Sequence, residues 1–301
     1  MGDAIRNVGV IGAGRMGQPI IGHLARKGYA VLVNDVDAGK KSIAEERGGK
    51  WSAELAGLAR EAEAILVCVG YDRELRELLS PAGIPRHARR GTIVAILSTV
   101  HPGTVRELAR RGREHGLHVV DATMCRGGWA ADEGTLLCFV AGSPQTVARL
   151  RPVLAAFASD IVHTGDIGTA QVAKAVNNMI MWACLVADHE GLALARRYGL
   201  DVDMMRQALA TTHSANGALE HWGKQTMAWA DDDMEIVAAM AKEKGLALKQ
   251  AQAVQAICRW LKPVRFQLEQ YGPATTDREG RKGRKSELRN AKDAKVAKRI
   301  R

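Results

Sequence analysis

The six residues Gly12-Ala13-Gly14-Arg15-Met16-Gly17 constrain this chain more than any others. They follow a short apolar run, Ile5–Ile11, and lead into Met16–Lys27, whose apolar residues recur at helical spacing. A G-x-G-x-x-G pattern at a strand-to-helix turn marks the start of a βαβ unit. Its first glycine permits the tight turn, and its third lets the helix pack closely on its strand. The following chain keeps this rhythm. Ala30–Asn34, Ala64–Val69, Thr92–Leu97 and Leu117–Asp121 are short runs rich in Val, Ile or Leu, with helical stretches such as Arg73–Leu79 between them. Such runs read as strands buried on both faces. The alternation predicts an α/β, Rossmann-type doubly wound sheet, which Thr135–Val140 and Ile161–His163 extend.

After Gly165 the character changes. From Thr169 to Tyr198 there is no proline and a single glycine, Gly191, and apolar residues recur three and four apart. A helix of about thirty residues spans about 45 Å. That exceeds the needs of one small domain, so this helix is expected to link domains or subunits. Further helices are expected over Val202–Ala210, Glu220–Trp229, Met234–Lys244 and Leu248–Tyr271. The predicted organisation is a dinucleotide-binding domain over residues 1–165, an all-α domain over 166–272 and a basic tail over 273–301.

The second glycine, Gly14, lets backbone approach a pyrophosphate, and the uncapped helix start offers it N–H groups and a positive dipole end. Ala13, Arg15 and Met16 complete that turn. Asp35 ends the second strand about twenty residues on, where a carboxylate accepts hydrogen bonds from ribose hydroxyls and repels a 2′-phosphate. No arginine follows it, so NAD is expected rather than NADP. Loops at the carboxyl ends of strands face the ligand crevice, which places Val69, Gly70 and Tyr71, and then Ser98 and Thr99, on the nicotinamide side.

Composition narrows the class further. No apolar run is long enough to cross a bilayer, and no leader segment is evident. The five cysteines, Cys68, Cys125, Cys138, Cys184 and Cys258, are scattered without a C-x-x-C pair, which points to reduced thiols and a cytoplasmic location. His115 and His118 are close in sequence, but nothing completes a metal site, and none is expected. The formal net charge is +10, and between Tyr271 and Arg301 eleven basic residues face only four acidic ones. Most of the excess therefore sits in the tail, read as mobile and solvated. The body of the chain calls for no polyanionic partner, and nucleic acid enters only as an alternative role for that tail.

Two further segments carry the chemistry. One is Asp121-Ala122-Thr123-Met124-Cys125-Arg126-Gly127-Gly128, followed by Gly134-Thr135-Leu136. The other runs from Gly165 through Gly168, Gln171 and Lys174 to Asn177-Asn178. With the glycine turn and Asp35, their order and spacing resemble the β-hydroxyacid dehydrogenases, the family of 3-hydroxyisobutyrate, tartronate semialdehyde and 6-phosphogluconate dehydrogenases. The resemblance extends from about Ile5 to about Leu248. It implies an NAD-dependent oxidoreductase acting on a β-hydroxy acid or related alcohol, with Lys174 as general acid/base and Asn178 as a substrate-orienting amide. It also implies a homodimer or tetramer. Residues four apart share a helix face, so Lys174 and Asn178 can enter one cleft. An amine takes a proton only when neutral, so burial is expected to lower the Lys174 pKa. Without the other motifs, Lys174 would read as an ordinary surface lysine.

This chain departs from the family in two places. The family has Ser-Gly-Gly where Cys125-Arg126-Gly127 stand, in a loop that holds the substrate carboxylate. Cysteine is a poor donor. Arg126 either clamps an anion or points outward. A nucleophilic Cys125 would need a partner base, and none is identifiable. The family's Lys-Asp pair before a late helix is here Asp232-Asp233. Trp129, His213, His221 and Trp222 either line the cleft or simply pack. Two rival readings stand: an imine reductase-like enzyme, against which Lys174 counts, and a non-catalytic dinucleotide-binding protein with a nucleic-acid-binding tail.

Overall fold

The computed structural model describes residues 4–271. The expected basic tail lies outside the described residues. Eight strands form one sheet: β1 Asn7–Ile11, β2 Ala30–Asn34, β3 Lys50–Trp51, β4 Ala64–Val67, β5 Ile93–Ile96, β6 His118–Cys125, β7 Leu136–Ala141 and β8 Ala158–Gly165. Their spatial order is β3-β2-β1-β4-β5-β6-β7-β8. The first six are parallel; β7 runs antiparallel to β6, and β8 follows β7 in parallel. The chain winds outward from β1 to β3, then returns to the other side of β1 as β4. The crevice at this reversal, outside the carboxyl ends of β1 and β4, is where doubly wound sheets take ligands.

The all-apolar runs became the central strands. Every residue of β4 and β5 is buried, because helices cover both faces of the sheet. Two strands differ from expectation. β3 is two residues long, too short to show periodicity. β6 continues past Asp121 to Cys125, because Ala122–Cys125 find partners in β7 rather than in β5, which has already ended at Ile96. The space that β5 leaves beside the end of β6 is taken by the long helix.

That helix is Thr169–Arg197, 29 residues. One stripe of it packs through Trp182, Leu185 and Val186 onto Met227, Met234, Val254, Cys258 and Leu261. Its surface also exposes Val176, Ile180 and Leu194. The second half of the chain is helical, as expected, but its boundaries shift. Instead of a helix over Glu220–Trp229, a single turn, Gly217–Glu220, is capped by Asn216 Oδ1, which accepts the N–H groups of Ala218 and Leu219. The backbone then takes left-handed conformations at Gly223 and Met227, which no helix accommodates. The next helix starts at Ala230, four residues before Met234, with Asp231, Asp232 and Asp233 at its positive dipole end. The last long helix is Lys249–Leu261 and stops before Pro263, which cannot continue one. Among the described residues no helix is long and apolar enough to cross a membrane.

His189 secures the end of the described chain. It is fully buried, and its Nε2 accepts the Phe266 N–H at 2.9 Å, leaving Nδ1–H to donate to the Leu185 carbonyl at 2.7 Å. Trp222 and Phe266 pack on its ring at 4.4 and 5.2 Å between centroids. Burial pushes its pKa below the ordinary value. The unfolded chain therefore takes up a proton at higher pH than the folded chain. Stability is full above the ordinary value of about 6.5 and is lost as the pH falls toward the lower folded value. Melting temperatures measured at about pH 7.5 and about pH 5 are expected to show this loss, and His189→Gln to reduce it. An unchanged pH dependence in the variant would assign the acid sensitivity elsewhere.

Candidate active site

The glycine turn has the geometry its sequence demands. Gly12 sits at φ 97°, and a Cβ there would lie 2.2 Å from the Cys68 carbonyl oxygen. A Cβ on Gly17 would lie 1.9 Å from the Gly12 oxygen. Gly14 has nothing within 4 Å of its Cβ position, so the backbone there is open to a ligand. The helix Gly17–Arg26 begins at Met16 without a side-chain cap, leaving first-turn N–H groups for an anion. Asp35 is fixed from two sides: its Oδ2 accepts the Ala13 N–H at 2.7 Å and its Oδ1 the Asp37 N–H at 2.9 Å. The Ala13 N–H is thus used by Asp35, and Ala13 serves the turn through its position. An open backbone, an uncapped helix start and an anchored carboxylate together fit a dinucleotide.

The next two loops are stitched together by Ser98. Its Oγ donates to the Val69 carbonyl at 2.8 Å and accepts the Val69 N–H at 3.1 Å. Glu74 accepts the N–H groups of Gly70 and Tyr71. Tyr71 meets Trp229 of the helical region edge-on, 5.9 Å between centroids. Gln171, fully buried on the long helix, donates to the Ser98 carbonyl at 2.9 Å and accepts the Val100 N–H at 3.0 Å. Thr99 is held between these two bonds.

The long helix is docked by β6. Asp121, fully buried, accepts the N–H groups of Gly168 at 3.1 Å and Gln171 at 3.2 Å, and Thr123 donates to the Ala170 carbonyl at 3.1 Å. Burial pushes the Asp121 carboxyl above its ordinary value, and these backbone donors offset the rise only in part. From Asp121, β6 rises about 3.3 Å per residue and the helix about 1.5 Å. Cys125 therefore comes level with the second and third turns of the helix, which carry Lys174 and Asn178. Lys174 acts electrostatically on both Cys125 and Asp233. The Asn178 carbonyl accepts from Asn177 at 3.0 Å, and its amide faces Asp233. Asp233 is buried and also accepts from Trp182 Nε1 at 3.0 Å; burial pushes its carboxyl up against the pull of Lys174.

The loop after β6 brings an unexpected contact set. Arg126 adopts φ 81° and turns its guanidinium to the Thr135 carbonyl and Ser159 Oγ, both at 2.9 Å, and to Asp160 at 2.7 Å. Of the two orientations open to it, it takes the one that braces the loop on β8, not a clamp on an anion. Burial pushes the Cys125 thiol up, the opposite of what a nucleophile needs. Gly127, at φ 77°, starts the short helix Gly127–Glu133. Trp129 on that helix stacks on His221 at 4.4 Å between centroids, with Lys224 Nζ 5.1 Å from its ring centre. Trp222 instead packs against His189 and Phe266, and His213 is exposed. The sequence motifs include Asp121, Gln171 and Asp233 without giving them a role, and sequence reasoning missed Trp229 as part of the site. Nothing in their spacing shows that Asp121 and Gln171 dock the long helix.

Comparison with known proteins agrees with this geometry. Residues 7–165 match the model of the NAD binding domain of 6-phosphogluconate dehydrogenase, and residues 168–280 match that of the NAD-binding region of NADP-dependent 3-hydroxyisobutyrate dehydrogenase. The first match alone covers more than half of the chain. This chain belongs to the β-hydroxyacid dehydrogenase family. A 3-hydroxyisobutyrate dehydrogenase of Pseudomonas aeruginosa is 30% identical over 83% of this chain and 87% of its own length. The mouse mitochondrial 3-hydroxyisobutyrate dehydrogenase is also 30% identical, but the match covers 67% of this chain and only 61% of the mouse protein. Among solved structures, the Mycobacterium tuberculosis 3-hydroxyisobutyrate dehydrogenase with L-serine has a TM-score of 0.79 at 22% identity, covering 87% of this chain and 95% of that one. An imine reductase variant from Myxococcus stipitatus with NAD+ scores 0.64 at 20% identity, covering 86% and 94%. Both structural likenesses are likenesses of fold. Membership makes the cofactor of this dehydrogenase-family chain a nicotinamide dinucleotide.

Gln171 gives a direct test of how the cofactor loop is held. Gln171→Leu strands the Val100 N–H and the Ser98 carbonyl, each deprived of a partner at a cost of about 1–3 kcal/mol. A lower melting temperature and weaker NADH binding by fluorescence titration are expected. Wild-type values for both would show that the loop stands without it.

Proposed function

We propose that this protein is an NAD-dependent dehydrogenase that oxidises a β-hydroxy acid or related alcohol reversibly, with Lys174 as general acid/base. The observation that carries this reading is the docking of the long helix. Its first turns are bound to β6 through Asp121 and Thr123 and to the nicotinamide-side loop through Gln171. Lys174 and Asn178 therefore stand at a fixed height beside the crevice.

The dinucleotide, when bound, supplies the hydride acceptor. Gly12, Gly14, Arg15 and Met16 hold its phosphates, Asp35 its adenosine ribose, and Val69, Gly70 and Thr99 border its nicotinamide. Lys174 Nζ takes the hydroxyl proton during oxidation and returns it during reduction. Asn178, its carbonyl occupied by Asn177, offers its amide N–H groups to Asp233 and to substrate oxygen. Asp233, buried beside Lys174, keeps the amine oriented toward the cleft. Cys125 and Gly127 border the substrate, while Arg126 supports their loop from behind.

Lys174→Ala is expected to keep NADH binding and to lose about 10²-fold or more in turnover across a panel of hydroxy acids and simple alcohols. Unchanged turnover would remove Lys174 from the mechanism. Turnover of cyclic imines but of no alcohol would instead favour the reaction named for the imine reductases that share the fold. A carboxylate at Asp35, anchored by the Ala13 and Asp37 N–H groups, repels a 2′-phosphate, so NAD is expected to bind at least about tenfold more tightly than NADP. NADP outcompeting NAD in a fluorescence titration would overturn this cofactor preference.

A further inference from the structure

The helix Gly127–Glu133, which carries Trp129, is held near its C-terminal end by the cofactor-binding element. Arg15, inside the glycine turn, makes a two-pronged pair with Asp132: Nη1 to Oδ1 at 2.8 Å and Nη2 to Oδ2 at 2.5 Å. The guanidinium lies across Gly128, where a Cβ would fall 2.7–2.9 Å from it. Gly128 does not have a positive φ, so a side chain there would act only by displacing the Arg15 guanidinium. At the same end His23 Nδ1 faces Arg26 at 2.8 Å, and its Nε2 faces the carbonyls of Ala131 and Asp132 at 3.0 and 3.1 Å. The Arg15–Asp132 pair is about half exposed on each side, and such pairs add little stability, about 0–1 kcal/mol. Its value lies in where it holds things.

We propose that Arg15 and Asp132 are a positioning pair that transmits occupancy of the dinucleotide site to the substrate loop. The inference rests on reading the glycine turn as the pyrophosphate site. Asp132 occupies one N–H of each terminal nitrogen of Arg15, leaving Nε–H and the outer N–H groups of a five-donor fork. A pyrophosphate at the turn adds an anion on that free side, so the guanidinium bridges phosphate and Asp132 and stiffens the helix Gly127–Glu133. Trp129 rides on this helix and stacks on His221 and Lys224 of the helical region. Filling the cofactor site thus firms the contact between the Gly127–Glu133 helix and the helical region.

Hydrogen–deuterium exchange on the full chain, with and without saturating NAD+, tests this independently of turnover. In the wild type NAD+ is expected to slow exchange both in the glycine turn and in the peptide spanning Gly127–Gly134. In Asp132→Asn the turn stays protected, while the NAD+-dependent protection of Gly127–Gly134 drops about tenfold, a typical coupling magnitude. Asp132→Glu restores it, and both variants melt with the wild type. Equal protection of Gly127–Gly134 in wild type and Asp132→Asn overturns the proposal. Absence of protection at the glycine turn in the wild type overturns the cofactor reading beneath it, a separate and distinguishable failure.

Discussion

The buried Asp121 carboxylate is the interaction on which the remaining architecture depends. A charge without water is costly unless hydrogen-bonded. Here it meets the start of the long helix, whose N-cap residue, Gly168, has no side chain to offer. The cap comes from a strand 47 residues earlier in the chain. One carboxylate thereby answers two deficits, its own lost hydration and the unpaired N–H groups of the helix. Because the helix is held at its root, everything further along it inherits a fixed height above the sheet. Gln171 extends the same knot to the loop after β5, so cofactor loop, strand and helix form one rigid corner.

Much of this was legible in sequence, for identifiable reasons. Apolar runs buried on both faces have no competing interpretation in a βαβ rhythm, so β1, β2, β4 and β5 stood out. The glycine turn was equally plain, since its spacing is local in sequence, even though the steric demand on Gly12 comes from the distant Cys68 carbonyl. The long helix announced itself by the absence of breakers. What stayed hidden depends on contacts between distant segments. β6 is long because β7 pairs with its far end. The stretch around Glu220–Trp229 looks helical in composition, yet Gly223 and Met227 turn the chain. Asp121, Gln171 and Asp233 owe their roles to partners that spacing alone does not reveal, and Arg126 gave no sign of the direction it takes.

Arg126 also shows how a site absorbs an awkward residue. A non-glycine residue in left-handed backbone costs about 1–2 kcal/mol. Its three contacts, to Thr135, Ser159 and Asp160, offset that strain. The same contacts draw its guanidinium toward β8, while Lys174 acts electrostatically on both Asp233 and the Cys125 thiol.

The reversed direction of β7 has a consequence for how such a protein diversifies. A parallel strand after β6 would require a crossover back to the amino ends of the strands. Because β7 runs back, the chain between Cys125 and Leu136 leaves and re-enters at the same end of the sheet as the glycine turn. It is in effect a hairpin cap containing about two turns of helix. Residues of its crown, Arg126 and Trp129 among them, can be exchanged without altering a rung of the ladder beneath, which ends at the Cys125–Leu137 pair. The sheet is indifferent to such changes, while Asp132 keeps the crown answerable to the glycine turn through Arg15.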